Sequence, residues 1–286
     1  MNYLILIIAA LLAGCAGVPP KPAPIEAQKA EVHHKIALVL GGGAARGFAH
    51  VGVIKALESK GIHPDIVVGT SAGSVVGALY AAGYSGFDLQ KVALTMDEGK
   101  VGDWSFSERG FIKGEMLQDF VNRAVKFRPM EKLGKPFAAV ATDLQTGQTV
   151  VFRTGNTGMA VRASSSVPGI FQPVRINGRD YVDGGLTSPV PVEAAREMGA
   201  DFVIAVDISS VPGYGKTNDA IDILLQTFTI MEQSITRFET RDADVVIRPA
   251  IGRMGSTDFE DRHLAIMEGE KAALSAVPEI RRKLSK

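Results

Sequence analysis

The chain has 286 residues, 46% of them hydrophobic, so it is long enough to bury a sizeable core. Its 31 basic and 31 acidic residues balance to zero formal charge without a basic stripe, which argues against nucleic-acid binding and strong attraction to anionic membranes. The single cysteine, Cys15, excludes an intrachain disulfide. We expect no metal, because His33 and His34 are too isolated to bind zinc by themselves.

The first residues carry a short apolar stretch, Tyr3 to Leu12, followed by Leu-Ala-Gly and Cys15. The stretch is too short to span a bilayer. It resembles a bacterial lipoprotein signal, which implies cleavage after residue 14, a diacylglyceryl group on the Cys15 thiol and an acyl chain, such as palmitate, on its amine. The first three residues depart from that pattern because they lack Lys and Arg, so an uncleaved membrane anchor is the alternative.

Residues 15–34 follow as the lipidated cysteine and a proline-rich, charged tether, and residues 35–286 are predicted to form one domain. Two or more acyl chains would hold such a protein stably in a membrane. We therefore expect a lipid-anchored protein of the bacterial cell envelope. Ala16, rather than aspartate, follows Cys15, and by resemblance to lipoproteins of enteric-type bacteria this favours the outer membrane.

The first predicted strand, residues 35–40, runs directly into a glycine loop, Gly41 to Gly47, and a predicted helix over 48–59. Backbone N–H groups at such a helix start can hold a phosphate or the oxyanion of a tetrahedral intermediate. A dinucleotide fingerprint fails in both registers, because Arg46 and Ala44 stand where it needs glycine, and no Gly-Lys-Ser/Thr follows. The loop therefore favours an oxyanion.

A second strand and helix are predicted over 66–69 and 74–82, and Gly69-Thr70-Ser71-Ala72-Gly73 lies between them. A serine on so sharp a turn projects its hydroxyl from the end of a sheet, while Gly69 and Gly73 keep Cβ atoms away from it. Ser71 is therefore the candidate nucleophile. The alternative is a serine that merely caps the helix.

None of the five histidines is placed as the base that Ser71 needs, and each is interpreted as a surface or capping residue. They are His33, His34, His50, His63 and His263. His263 alone follows in the chain order Ser, Asp, His, so it leaves a Ser–His–Asp triad open.

Asp183 is the candidate base, because Gly184 and Gly185 follow it and let its backbone approach another loop. Desolvation would have to raise the pKa of this carboxylate for it to act at neutral pH. The alternative is a hairpin turn, although residues 177–178 (Asn-Gly) already supply one. Asp143 and Asp207 are rival carboxylates at the ends of apolar runs, where turns and caps are common.

Further strands over 137–142 and 202–207 alternate with helical stretches, which predicts an α/β three-layer sandwich with a largely parallel central sheet. Two segments are candidates for lipid contact. One is the loop containing Trp104, Phe106, Phe111 and Ile112. The other is the helical run Ile221 to Phe238, whose apolar spacing favours core packing instead.

Four blocks in order resemble the patatin-like phospholipase family of serine acyl hydrolases, which use a Ser–Asp dyad. They are the glycine loop ending in Arg46-Gly47, the Gly69–Gly73 turn, the segment Arg162–Val174 and Asp183-Gly184-Gly185. The resemblance implies that Ser71 is the nucleophile, that Asp183 is the base and that amides around Gly42, Gly43 and Ala44 hold the oxyanion. Ala44 stands where many relatives have glycine, and it can offer its N–H if φ stays negative. Arg46 is expected to order the loop through hydrogen bonds.

The resemblance implies a lipid acyl hydrolase of the phospholipase or lysophospholipase type that acts on a fatty acyl ester, such as a phospholipid, without a cofactor. A thioesterase or general carboxylesterase would use the same residues. A non-catalytic lipid-binding or scaffolding lipoprotein is the alternative from another class, and it would not be labelled covalently at Ser71.

Overall fold

The computed structural model describes residues 34–96, 111–213, 217–252, 254–255 and 257–285. The predicted signal peptide, Cys15 and nearly all of the tether lie outside this range, as do Trp104 and Phe106. Across the part of the chain that is described, no helix is both long and apolar enough to cross a membrane.

Eight strands of the described chain form one mixed sheet. They are β1 (Ile36–Leu40), β2 (Ile66–Thr70), β3 (Phe137–Asp143), β4 (Thr149–Phe152), β5 (Val174–Ile176), β6 (Arg179–Asp183), β7 (Phe202–Val206) and β8 (Val245–Ile247). The series β8-β7-β1-β2-β3 is parallel throughout. Strand β4 and the β5–β6 hairpin are antiparallel. The predicted, largely parallel sheet is thus confirmed.

Helices cover both faces of this sheet. They are α1 (Phe48–Ser59), α2 (Ala72–Ala81), α3 (Gly86–Thr95), α4 (Glu115–Ala124), α5 (Thr157–Ser164), α6 (Val192–Glu197), α7 (Ala220–Glu239) and α8 (Arg262–Leu284). Alternate residues of β1 face opposite layers. Leu38 and Leu40 belong to the hydrophobic core that includes α1 and α8, whereas Ala37 and Val39 pack with α6. These are the three layers predicted from the sequence.

Strand β3 brings together the ends of β2 and β6. Strand β2 pairs with β3 up to Thr70, which lies opposite Val140. Strand β6 takes over at the next residue, because Asp183 lies opposite Ala141. Strand β4 pairs with both Val140 and Ala141, so it lies along one edge of β3. Strands β2 and β6 must therefore both lie along the opposite edge of β3. Ser71, directly after Thr70, therefore lies beside Asp183.

The prediction that the apolar residues of α7 pack in the core is wrong. Only Glu232 and Thr236 of this helix are buried. Its exposed large apolar residues are Ile221, Ile223, Leu224, Ile230, Met231 and Phe238. Three- and four-residue spacing shows that a helix has an apolar stripe, but the tertiary fold decides whether the stripe faces the core. Here much of it faces outward.

Candidate active site

Ser71 lies on a strained turn between β2 and α2. Its backbone has φ 52°, a left-handed conformation that is rare for a residue other than glycine. A Cβ on Gly69 would lie 2.4 Å from the carbonyl oxygen of Gly73, and one on Gly73 would lie 2.0 Å from that of Leu40. Both positions therefore require glycine. The Ser71 side chain makes no capping hydrogen bond to α2, which disfavours the alternative role as a cap.

Ser164, at the end of α5, holds this turn in place. Its hydroxyl accepts a hydrogen bond from the Ser71 N–H at 2.9 Å and donates one to the carbonyl oxygen of Val140 at 2.6 Å. The next turn of chain also supports the site, since the carbonyl of Ser166 accepts the N–H of Asp183 at 2.9 Å. The sequence block 162–174 thus frames the site through specific hydrogen bonds.

Asp183 ends β6 and is buried. One carboxylate oxygen, Oδ1, accepts the N–H of Gly185 at 2.7 Å. The other, Oδ2, is buried without a hydrogen-bond partner among the described residues. Burial raises the pKa of Asp183 to about 6, while the Gly185 N–H and the Ser71 side chain oppose the rise. This is the desolvation that a carboxylate base requires.

The glycine loop presents fewer amide donors than expected. The N–H of Gly42 donates to the carbonyl of Pro189 at 3.0 Å, so the predicted role of Gly42 as an oxyanion donor is corrected. The N–H groups of Gly43 and Ala44 have no acceptor within the described part of the chain, and neither has that of Ala72 at the start of α2. These three amides can hold negative charge at a helix start.

Ala44 does not have the negative φ on which its predicted role as an oxyanion donor depends. Its φ is 51°, not negative, which explains why glycine suits this position and adds local strain. Its N–H nevertheless remains unpaired. Arg46 is buried beside it, and its guanidinium donates to the carbonyl oxygens of Ile208 at 2.9 Å and Met254 at 3.1 Å. These bonds fit the expected role of Arg46 in ordering the loop.

The remaining predicted glycines lie in the glycine loop and in the turn that follows Asp183. A Cβ on Gly47 would contact Ala72 at 2.7 Å, so the glycine loop packs closely on the start of α2. Gly184 and Gly185 form a short 3-10 turn directly after Asp183. A Cβ on Gly184 would lie 2.2 Å from the carbonyl oxygen of Val140, which keeps this turn against β3.

His50 corrects the expectation of a surface or capping histidine. It is fully buried in α1, and its Nε2 lies 2.8 Å from the carbonyl oxygen of Gly41. Burial lowers the pKa of His50 to about 4, so the ring is neutral and donates this bond to the glycine loop. His263 is exposed at the start of α8. The hydrogen bonds found in the described structure connect neither histidine to Ser71 or Asp183.

The rival carboxylates serve as turn and cap residues. Asp143 accepts the N–H groups of Gln145 and Thr146 and pairs with Arg179 at 2.8 Å. Asp207 accepts the N–H of Ser209 and pairs with Arg248 in the same way. Where the chain is described, no group of three or more His, Cys, Asp or Glu could hold a metal ion.

Two glutamates of α7 were missed from the sequence. Glu239 accepts hydrogen bonds from the Ser188 hydroxyl and the Val190 N–H. These bonds fix the position of residues 188–190, where the carbonyl oxygen of Pro189 accepts the Gly42 N–H. Glu232 is buried near the glycine loop. Apolar spacing alone predicted this helix, and no motif marks either glutamate, so the sequence offered no signal for them.

The sequence of residues 38–196 matches the patatin-like phospholipase family. An uncharacterised NTE family protein of Mycobacterium tuberculosis is 38% identical over 177 residues, which are 61% of this chain and 49% of that protein. Human patatin-like phospholipase domain-containing protein 6 is 37% identical over 183 residues, 61% of this chain and 13% of the relative. Lysophospholipase NTE1 of Meyerozyma guilliermondii is 32% identical over 201 residues, 66% of this chain and 14% of the relative. The matches thus span half or less of these relatives.

Solved structures share the fold at low sequence identity. VipD from Legionella pneumophila superposes with a TM-score of 0.59 at 15% identity, over 86% of this chain and 67% of that one. The type III effector protein ExoU superposes with a TM-score of 0.51 at 12% identity, over 88% and 54% of the two chains.

Proposed function

This chain belongs to the patatin-like phospholipase family, and from that premise we propose that it hydrolyses fatty acyl esters of lipids through Ser71 and Asp183. The family and its lysophospholipase relative support a lipid acyl hydrolase. The observation that carries the proposal for these residues is the register of β3, which sets the strained serine turn beside a buried carboxylate with an unpartnered oxygen.

In the proposed mechanism, Ser71 Oγ attacks the ester carbonyl carbon as Asp183 takes the hydroxyl proton. The carbonyl oxygen becomes an oxyanion that amides of Gly43, Ala44 and Ala72 stabilise. When the carbon–oxygen bond to the leaving alcohol breaks, Asp183 returns the proton to that oxygen. Water then attacks the acyl-serine while Asp183 takes its proton. The bond between the acyl carbon and Ser71 Oγ breaks, Asp183 returns the proton to Oγ, and the fatty acid is released.

The direct test is covalent labelling of the full-length protein with a fluorophosphonate probe, with the adduct mapped by mass spectrometry. We expect the adduct on Ser71. Its absence from Ser71 in folded protein would favour a non-catalytic lipid-binding or scaffolding role. A thioesterase or general carboxylesterase would label in the same way, so rates on matched acyl esters and acyl thioesters separate those alternatives.

The outward face of α7 supports a lipid substrate. The exposed apolar residues lie on one face of α7. The opposite face lies against the site, because a Cβ on Gly185 would be 3.0 Å from the ring of Phe228 in α7. At its C-terminal end, the Arg241 guanidinium stacks on the Phe238 ring at 4.7 Å and adds positive charge. An apolar patch edged by positive charge fits a phospholipid surface.

Changing Ile223 and Ile230 together to serine is expected to lower hydrolysis of phosphatidylcholine–phosphatidylglycerol vesicles about tenfold, because each buries apolar surface in the bilayer. Turnover of a soluble p-nitrophenyl ester should stay unchanged. The matched control replaces Leu264 and Met267, equally exposed on α8, with serine. Equal losses on vesicles from both pairs would contradict a specific α7 contact.

We also propose that the protein is anchored by lipid on Cys15 in a bacterial envelope, on the sequence resemblance alone. The wild-type protein is expected to incorporate labelled palmitate and to partition with membranes, and Cys15→Ser is expected to block both lipidation and processing. A chain beginning near Val32 should stay in solution and still hydrolyse esters, since the proposed catalytic residues lie beyond the tether. Native protein with residues 1–14 intact and no lipid on Cys15 would refute the anchor and leave the hydrolase proposal standing.

A further inference from the structure

Glu232 is a buried carboxyl group that the mechanism above does not use. It lies on the inner face of α7 and is 6% exposed. Its carboxyl makes no hydrogen bond or ion pair with any residue that the structure describes. Low exposure without a protein partner disfavours the charged form of a carboxyl group.

The carboxyl group of Glu232 lies close to both the glycine loop and Ser71. A Cβ on Gly42 would lie 3.3 Å from Glu232 Oε1 and 3.4 Å from Ser71 Cβ. The carboxyl group and the nucleophile therefore flank the same glycine, directly before the unpaired amides of Gly43 and Ala44. One helical turn earlier, Phe228 contacts the turn that follows Asp183, so α7 is held against both halves of the site.

Three charged groups act on Glu232 from the elements packed against it. Burial, the negative charge of Asp183 and, to a smaller extent, that of Asp207 raise the pKa of Glu232, the positive charge of Arg46 lowers it, and the net result is a pKa of about 8. The Arg46 guanidinium is committed to two backbone carbonyls and forms no ion pair with Glu232. Glu232 is therefore protonated at neutral pH, when Asp183, with its pKa about 6, is ionised.

We propose that Glu232 in its protonated form donates a hydrogen bond to the carbonyl oxygen of the ester that Ser71 attacks, as a side-chain member of the oxyanion hole. This inference rests on the proposed function. As Ser71 Oγ bonds to the carbonyl carbon, the electron pair of the C=O π bond moves to the oxygen, and the bond from Glu232 strengthens while Glu232 keeps its proton. Ionised Glu232 would instead place a negative charge beside the oxyanion.

The test is the pH dependence of kcat/KM for p-nitrophenyl butyrate, measured on the full chain with the Ser71→Ala rate subtracted as background. Wild-type activity is expected to rise through pH about 6 as Asp183 ionises and to fall through pH about 8 as Glu232 ionises. Glu232→Gln keeps a donor that cannot ionise, so it should lose the alkaline fall and raise the ratio of activity at pH 9 to pH 7 about tenfold relative to wild type.

Glu232→Ala removes the donor and should lower kcat/KM about 10²-fold near pH 7, the scale of losing one oxyanion donor. The matched control is Glu197→Gln, an exposed carboxyl on α6, which should keep the wild-type profile. An unfolding curve establishes that each variant is folded, and Gln preserves the volume of Glu. A Glu232→Gln profile parallel to that of wild type, or a wild-type profile without an alkaline fall, would overturn the inference. Absence of any Ser71-dependent hydrolysis would instead overturn the proposed function.

Discussion

Replacing Ser71 with alanine is expected to lower ester hydrolysis at least ~10³-fold, because it removes the covalent step while binding and oxyanion contacts remain. Both serine and alanine must adopt the positive φ of this position, so the substitution leaves the backbone strain unchanged. The hydrogen bonds made by the backbone N–H and carbonyl of residue 71 also survive. The fold should therefore persist, and fluorophosphonate labelling should disappear.

Turnover of p-nitrophenyl butyrate and the urea unfolding curve are the two measurements. Ser59→Ala is the control, since among the described residues the Ser59 hydroxyl donates only to the carbonyl oxygen of Ala56, at the C-terminal end of α1. Wild-type turnover in a folded Ser71→Ala protein would remove Ser71 as the nucleophile.

Asp183→Asn is expected to be nearly as damaging as Ser71→Ala, because an amide cannot accept the serine proton. In the wild-type protein, activity is expected to rise with pH as Asp183 ionises through about 6, since only the anion is a base. His263→Ala, on the exposed start of α8, should retain catalysis. A folded but inactive His263→Ala protein would instead favour a Ser–His–Asp triad.

Asp183→Asn should also stabilise the protein at alkaline pH. The pKa of Asp183 is raised from 3.8 to about 6 on folding, so its contribution to stability is present below pH about 4 and is lost as pH rises through about 6. Asparagine has no charge to bury and can still accept the Gly185 N–H. We expect the free energy of unfolding to rise by on the order of 1–3 kcal/mol at pH 8, and the gain to vanish towards pH 4.

Asp143→Asn is the matched control with the opposite sign. Two backbone N–H groups and Arg179 lower the pKa of Asp143, so its stabilising contribution is present at neutral pH and is lost as pH falls through the folded-state pKa. Asp143→Asn should therefore weaken the fold at pH 8, while the folded variant is expected to hydrolyse esters at the wild-type rate. A lower unfolding free energy for Asp183→Asn at pH 8 would contradict the assignment of Asp183 as a buried, desolvated base.

The local parts of the site could be predicted from the sequence because their causes are local. Short apolar runs predicted β1, β2, β3 and β7 to within a residue or two, since a strand buried on both faces needs such a run. The predicted helix over 48–59 matches α1 in its bounds. Glycines around Ser71 indicated a sharp turn because a Cβ at Gly69 or Gly73 would collide with a backbone carbonyl.

Only the tertiary structure decided what depends on strand register and on the packing of distant elements. Resemblance paired Ser71 with Asp183, but they meet because β2 and β6 end opposite neighbouring residues of β3. The Gly42 amide is occupied because residues 188–190 pass beside it. His50 became a buried structural residue because α1 packs against α8 as well as the sheet.

Helix α7 shows the limit most clearly. Its periodicity determined that it would be a helix with an apolar stripe, since 3.6-residue spacing is a property of the local sequence. The direction of the stripe depends on which neighbours the helix meets, and those neighbours are remote in the chain. The tertiary fold turns much of the stripe outward and buries Glu232 beside Gly42 and Ser71. Burial, which no local pattern encodes, is also what raises the pKa of this carboxyl group.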